Sequence, residues 1–231
     1  MTELAEPAGG AAPGLGLGHG ALERAMDIVV SLTLIIVLSP LLLLLFVLVR
    51  ATSAGPALFR QERLGRGMRP FIMLKLRTMH ADNDDRKHRA YVTAMLSAGQ
   101  QAEQASGEPA AAGDGLFKLN ADPRVTRLGT WLRRSSLDEL PQLFNVLRGQ
   151  MSLVGPRPVL PWEAPLFGPA YQRRFDVKPG LTGLWQVSGR SRLTMPQALE
   201  LDVEYAIRHS VTLYLIILAR TVPAVFRGEA R

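Results

Sequence analysis

The residues best suited to chemistry stand together at Arg133 Arg134 Ser135 Ser136 Leu137 Asp138 Glu139 Leu140 Pro141. Two adjacent carboxylates follow two arginines, just ahead of an apolar run that reads as a helix. Ser136 and Glu139 fit a capping box, and the helix dipole favours carboxylates in the first turn. On that reading the segment is only a helix start. Pro141 weakens it, because with Ser136 as N-cap the proline falls inside the hydrogen-bonded ladder. With Asp138 as N-cap, Pro141 becomes the third helical residue, whose N–H is unpaired anyway, and Glu139 is released from the cap. Helix N-termini and arginine forks bind phosphate, and carboxylates are hard ligands for Mg²⁺. Together they make a candidate phosphoryl-transfer site.

Three more cations sit in rigid or turn-rich contexts. Arg157 lies between Pro156 and Pro158, which fix the backbone and can aim the guanidinium; a surface arginine in a stiff loop is the alternative. Arg190 follows Ser188 Gly189, where backbone N–H groups can form an anion-binding concavity, or simply a turn. Lys75 alternates with Leu74 and Leu76, as a lysine on a solvated strand face also would. Other chemistries are excluded. Without cysteine there is no disulfide framework, thiolate zinc site or catalytic thiol. His19, His80, His88 and His209 form no pair at metal-binding spacing. The sequence contains no phosphate-binding glycine loop, nucleophile elbow or zinc-protease motif.

These groups need elements to position them. The chain has 231 residues, 47 % hydrophobic and 20 % charged, which excludes a disordered or collagen-like protein. Its net charge of +7 is concentrated after an apolar segment, with seven basic groups and one acidic group in residues 50–79. Anionic headgroups or phosphate ligands account for that charge as well as nucleic acid does. From Ile28 to Val49 there is no charged residue. A straight helix over that stretch reaches ~33 Å, against a hydrocarbon core of ~30 Å. Ser39–Pro40 sits near its centre. The proline removes a backbone donor and predicts a kink, while the Ser39 hydroxyl can reach back to a carbonyl three or four residues earlier. The segment therefore either spans with a kink or turns back within one leaflet; the basic block faces the cytoplasm in both cases.

Around it, residues 1–22 read as a disordered tail rich in Ala, Gly and Pro. Residues 57–78 read as a β-hairpin and 80–115 as a variable insertion, most biased over 97–115. Turn-like clusters follow at 154–158, 178–180 and 188–190. Two helices, Gln197–Arg208 and Thr212–Phe226, close the chain; the second is interrupted near Pro223 and too short to span.

Several long motifs occur in one order: Lys75 Leu76 Arg77 Thr78 Met79; Asp122 to Gly129; Ser136 Leu137 Asp138 Glu139 Leu140 Pro141 Gln142 Leu143; Ser152 to Pro158; Lys178 to Gly183; and Gln186 Val187 Ser188 Gly189 Arg190. From about Leu22 onward the chain resembles the bacterial sugar transferases, the monotopic phosphoglycosyl transferases, in their short exopolysaccharide-initiating form. The resemblance implies an α+β, mainly α, membrane-embedded protein with an N-terminal re-entrant helix hairpin, a small β-hairpin and interfacial helices. In it, residues 23–50 form the re-entrant helix, bent at Ser39 and Pro40, and 51–231 a cytoplasmic catalytic domain. It further implies transfer of a sugar phosphate from a UDP-sugar to polyprenyl (undecaprenyl) phosphate, at the bacterial inner (cytoplasmic) membrane, among anionic membrane lipids and without nucleic acid. Asp138 would be the nucleophile, Glu139 the Mg²⁺ ligand, and Arg133, Arg157, Arg190 and Lys75 phosphate-binding groups. A membrane-anchored binding protein and a non-catalytic scaffold for an export complex are the rival readings. The first does not account for Asp138–Glu139 beside Pro141; the second accounts for the anchor and end helices and predicts that Asp138→Ala leaves cellular function untouched. Nothing in the residues names the sugar or the oligomeric state.

Overall fold

The computed structural model describes residues 17–80, 93, 124–189 and 193–226. Most of the insertion placed at 80–115, and Arg190, lie outside them. The protein is mainly helical, with two small two-stranded sheets. Helix α1 runs over Leu17–Thr52, so Leu17–Leu22 continue the helix rather than the tail expected through residue 22. Its stretch Gly20–Thr52 is long and apolar enough to cross a membrane. Pro40 lies inside α1, and the Ser39 hydroxyl donates to the Ile36 carbonyl at 2.8 Å, the compensation expected from the sequence.

One face of α1 is buried at both ends. Glu23, Asp27 and Ser31 are covered in the first half, and Leu42, Leu45 and Val49 in the second. Between them Ile36 and Val37 are 63 % and 65 % exposed. The first half is keyed by polar groups. Asp27 accepts from Ser152 Oγ, from the Leu153 N–H and from Tyr214 Oη, at 2.8–3.0 Å. The second half is keyed by apolar packing, with Leu45 and Val49 against Leu76 and Leu132.

The expected hairpin is present. Strands β1 (Leu58–Leu64) and β2 (Pro70–Leu76) are antiparallel, with Leu58 opposite Leu76 and Leu64 opposite Pro70. Gly67 takes φ +63° at the tip, where a side chain would be strained. Helix α2 (Arg127–Arg134) is capped by Thr126, whose side chain accepts from the Gly129 N–H. It presses so closely on the end of the hairpin strand that a Cβ on Gly129 would sit 2.1 Å from the Thr78 carbonyl. Helix α3 (Gln142–Leu147) has only six residues and is held from outside. The buried Asn145 side chain accepts from the Leu74 N–H and donates to the Ile72 carbonyl, satisfying the free edge of β2. Arg24 of α1 donates to the Val146 and Leu147 carbonyls, both at 2.6 Å, closing the other end.

Two of the turn-like clusters turn out to include paired strand. Strands β3 (Ser152–Val154) and β4 (Gly180–Thr182) run parallel, continued by Gly155 N–H to the Thr182 carbonyl and Gly180 N–H to the Pro156 carbonyl. Helices α4 (Leu184–Ser188), α5 (Met195–Arg208) and α6 (Val211–Phe226) complete the chain; Thr194 and Gln197 form a capping box for α5. The last two agree with the expected pair, and α6 keeps Pro223 inside it.

The β3–β4 pairing demands glycine. A Cβ on Gly180 would lie 2.0 Å from the Gly155 nitrogen, with backbone on both sides and nothing free to yield. Gly180→Ala is therefore expected to lower stability by at least ~3 kcal/mol, seen as a reduced thermal midpoint in detergent, whereas Gly168→Ala, in open space, moves it little.

Candidate active site

The Asp138–Glu139 segment does not begin a helix in either expected way. Ser136 adopts φ +56° and its side chain caps nothing; it ends α2 in the left-handed conformation rather than starting the next helix. Leu137–Glu139 make a single tight turn, and Pro141 takes the N-cap position of α3. The capping-box reading and the Asp138 N-cap both give way to this two-step entry. Its effect is to free both carboxylates from capping.

Asp138 is buried, while Glu139 reaches the side chain of Lys75, with Oε1 3.1 Å from Nζ. Lys75 is thus no solvated strand residue, since both side chains are less than a fifth exposed. The pair forms part of the wall of an open cleft enclosing about 260 Å³. Arg157 and Arg63 face it, and Gln142 and Gln186 add amides. Asp138 is the residue before Glu139 in the chain. Arg133 donates through Nε to Thr78 Oγ1 at 2.9 Å.

Arg157 is held by its backbone. The buried Arg174 donates through one nitrogen both to the Arg157 carbonyl, at 2.9 Å, and to Asp202 Oδ2, at 2.5 Å. The Arg157 N–H donates to Asp202 in turn. Burial pushes the Asp202 carboxyl up to about 6, against the pull of the Arg174 charge beside it. With Pro156 and Pro158 on either side, the peptide carrying Arg157 is fixed.

A cleft lined by two guanidiniums, an ammonium and one carboxylate has the groups that bind phosphate oxygens. A family model described as bacterial sugar transferase matches residues 18–228. The chain belongs to that family. This sugar transferase is 37 % identical over 206 residues to the exopolysaccharide production protein ExoY of Sinorhizobium fredii, covering 89 % of this chain and 86 % of that one. It is 40 % identical over 215 residues to the UDP-glucose:undecaprenyl-phosphate glucose-1-phosphate transferase of Caulobacter vibrioides, covering 90 % and 70 %. With the undecaprenyl-phosphate galactose phosphotransferase of Salmonella typhimurium it shares 37 % over 208 residues, 90 % of this chain but 41 % of the longer relative.

Of the expected site residues, the transferase brings Lys75, Glu139 and Arg157 together around the cleft, and Asp138, next to Glu139 in the chain, is buried. Arg133 contacts Thr78. Sequence reasoning passed over Arg63, the two glutamines and the Arg174–Asp202 pair. Gln142 and Gln186 lie inside motifs already singled out. Arg63, Arg174 and Asp202 carry no spacing signal, because their partners come from distant segments. No group of three or more metal-ligating side chains occurs among the described residues. Mg²⁺ commonly binds through one or two carboxylates and the phosphates of its substrate, and adjacent Asp138 and Glu139 suit that mode.

Arg174→Met would leave Asp202 buried without its countercharge. It is expected to cost ~3–5 kcal/mol, read from denaturant midpoints in detergent, while the exposed Arg208→Met changes them by less than ~0.5 kcal/mol.

Proposed function

We propose that this sugar transferase moves a sugar 1-phosphate from a UDP-sugar to polyprenyl phosphate, the step that starts an exopolysaccharide or related glycoconjugate. The observation that carries this reading is the Lys75–Glu139 pair, next in sequence to the buried Asp138 and sharing a cleft with Arg157. The printed activities of the relatives from Caulobacter and Salmonella support it.

In the proposed reaction an Asp138 oxygen attacks the sugar-side phosphorus. The bond from that phosphorus to the bridging oxygen breaks, and its electron pair leaves with UMP. A phosphosugar–aspartyl mixed anhydride (an acyl phosphate) remains. An oxygen of polyprenyl phosphate then attacks the same phosphorus and displaces the Asp138 carboxylate, giving polyprenyl diphosphosugar. One phosphoanhydride replaces another, so no outside energy source is needed. Arg157, Arg63 and Lys75 hold phosphate oxygens, and Arg190 is assigned to the same task. Arg133, whose Nε donates to Thr78 Oγ1, is assigned to the phosphates as well. Glu139 would hold Mg²⁺, which supplies charge neutralisation for the diphosphate and the departing UMP. In the apo protein Lys75 occupies Glu139, so the two cations balance the same carboxylate.

The membrane arrangement follows from α1. Both ends of its covered face meet the catalytic body, and its exposed middle is apolar around Ser39–Pro40. We infer a re-entrant helix that dips into one leaflet and returns, with α5 and α6 at the interface and the cleft facing the cytoplasm. A soluble nucleotide sugar and a lipid phosphate can then meet without either crossing the bilayer. Anionic lipids would meet the basic block after Arg50.

The deciding assay is nucleotide release from a panel of UDP-sugars by the solubilised protein, with Mg²⁺ and polyprenyl phosphate. UMP from one donor is the expected result; UDP would mean glycosyl transfer and would remove the aspartate mechanism. Asp138→Asn should abolish turnover with the fold intact, and Glu139→Gln should lose rate together with Mg²⁺ dependence. An Asp138→Asn protein with wild-type turnover sinks the nucleophile assignment. Topology is read separately. The chain has no native cysteine, so Gly20→Cys and Met68→Cys can be labelled singly in sealed vesicles. Both should react from the same side, and labelling from opposite sides would establish a spanning helix.

A further inference from the structure

Behind the Arg157 loop lies a second cavity of about 390 Å³, which shares Arg63, Arg157 and Pro158 with the cleft. Its other walls include Glu163, Phe167, Arg174 and Leu199. The reaction scheme above assigns it no task. Its polar groups are deeply buried, Glu163 at 5 % and Arg174 at 3 % exposure. Nε and Nη1 of Arg174 have no hydrogen-bond partner in the protein, nor does Oδ1 of the adjoining Asp202. Native proteins rarely leave buried donors unmet unless a ligand or water satisfies them.

The chemistry of the walls selects the ligand. Guanidinium donors and a carboxylate acceptor stand around one space, and a hydroxyl group both donates and accepts. A second phosphate would meet the Glu163 carboxylate as a like charge. A flat base would look for an aromatic face, but the Arg174 guanidinium already covers Phe167, 5.1 Å from the ring centroid. A polyhydroxylated ring suits what remains. Position agrees, because Arg157 borders both spaces, and a sugar 1-phosphate joins its ring directly to the phosphate.

We propose that this cavity is the hexose subsite of the donor, with Glu163 and Arg174 reading the hydroxyl groups and so determining which sugar is accepted. The proposal rests on the sugar-phosphate reading above and extends it to the residues that set specificity.

The test uses the full-length protein in detergent and two variants. Leu199→Phe fills the cavity from α5. Glu163→Gln changes its charge while an amide oxygen still accepts from the Leu160 N–H, so it keeps the local fold if the larger side chain does not. For each, UMP release is measured across UDP-hexoses that differ at one hydroxyl, with inhibition by UMP alone alongside. The expected result is a loss of about tenfold or more in kcat/KM for the preferred donor and a narrowed preference among epimers, with UMP inhibition unchanged. Weakened UMP inhibition in parallel would place the nucleoside here and overturn the assignment. Folded variants that keep the wild-type donor ranking and rates would overturn it as well. A wild-type protein that releases UMP from no UDP-sugar would instead bring down the underlying reaction, and the hexose subsite with it.

Discussion

The site hangs on one amide. Asn145 is fully buried, and its side chain copies a strand: the oxygen takes the Leu74 N–H and the nitrogen gives to the Ile72 carbonyl. A six-residue helix such as α3 has little stability alone, and the edge of a two-stranded hairpin offers unpaired backbone groups. The amide settles both problems with one side chain. Losing it would strand a buried donor and acceptor at ~1–3 kcal/mol each. It also sets the register between α3 and β2, and that register places Lys75 over Glu139. The Lys75–Glu139 pair is thus a by-product of satisfying backbone hydrogen bonds.

The same economy ties the membrane segment to the catalytic body. Arg24 caps the end of α3, and Asp27 ties β3 and α6 to the base of α1. Glu23 pairs with His209 at the corner between α5 and α6. Past this polar base α1 is apolar, with Ile36, Val37 and Leu43 open to their surroundings. One helix therefore serves two solvents: its first turns are bound by hydrogen bonds, its remainder by lipid and by packing against Leu76 and Leu132. The loop that carries Arg157 starts at β3, so it leans directly on the base of the membrane helix.

What the sequence made legible was local. The hairpin, the two terminal helices and the Ser39 back-bond each depend on residues within a few positions of one another. The capping box at Ser136 failed for the complementary reason. Its pattern is local, but α2 ends at Ser136 in the left-handed conformation, and that ending leaves the Ser136 side chain capping nothing. Lys75 looked like an ordinary exposed strand residue because its partner is 64 positions away. The Arg174–Asp202 pair likewise becomes visible only when α5 folds back over the 169–176 turn. The parallel β3–β4 pairing hid inside turn-like glycine clusters, since three-residue strands give no alternation to read.

The partners of α1 also impose a timetable. Arg24 waits for Val146, 122 residues downstream, and Asp27 for Tyr214, 187 residues downstream. At roughly 5–20 residues per second, translation leaves Asp27 without Tyr214 for about ten to forty seconds after it is made. Until residues 146–153 are made, none of Glu23, Arg24 and Asp27 has its partner from the rest of the chain. The base of α1 is thus the first part of the described fold to be made and the last to be fully bonded.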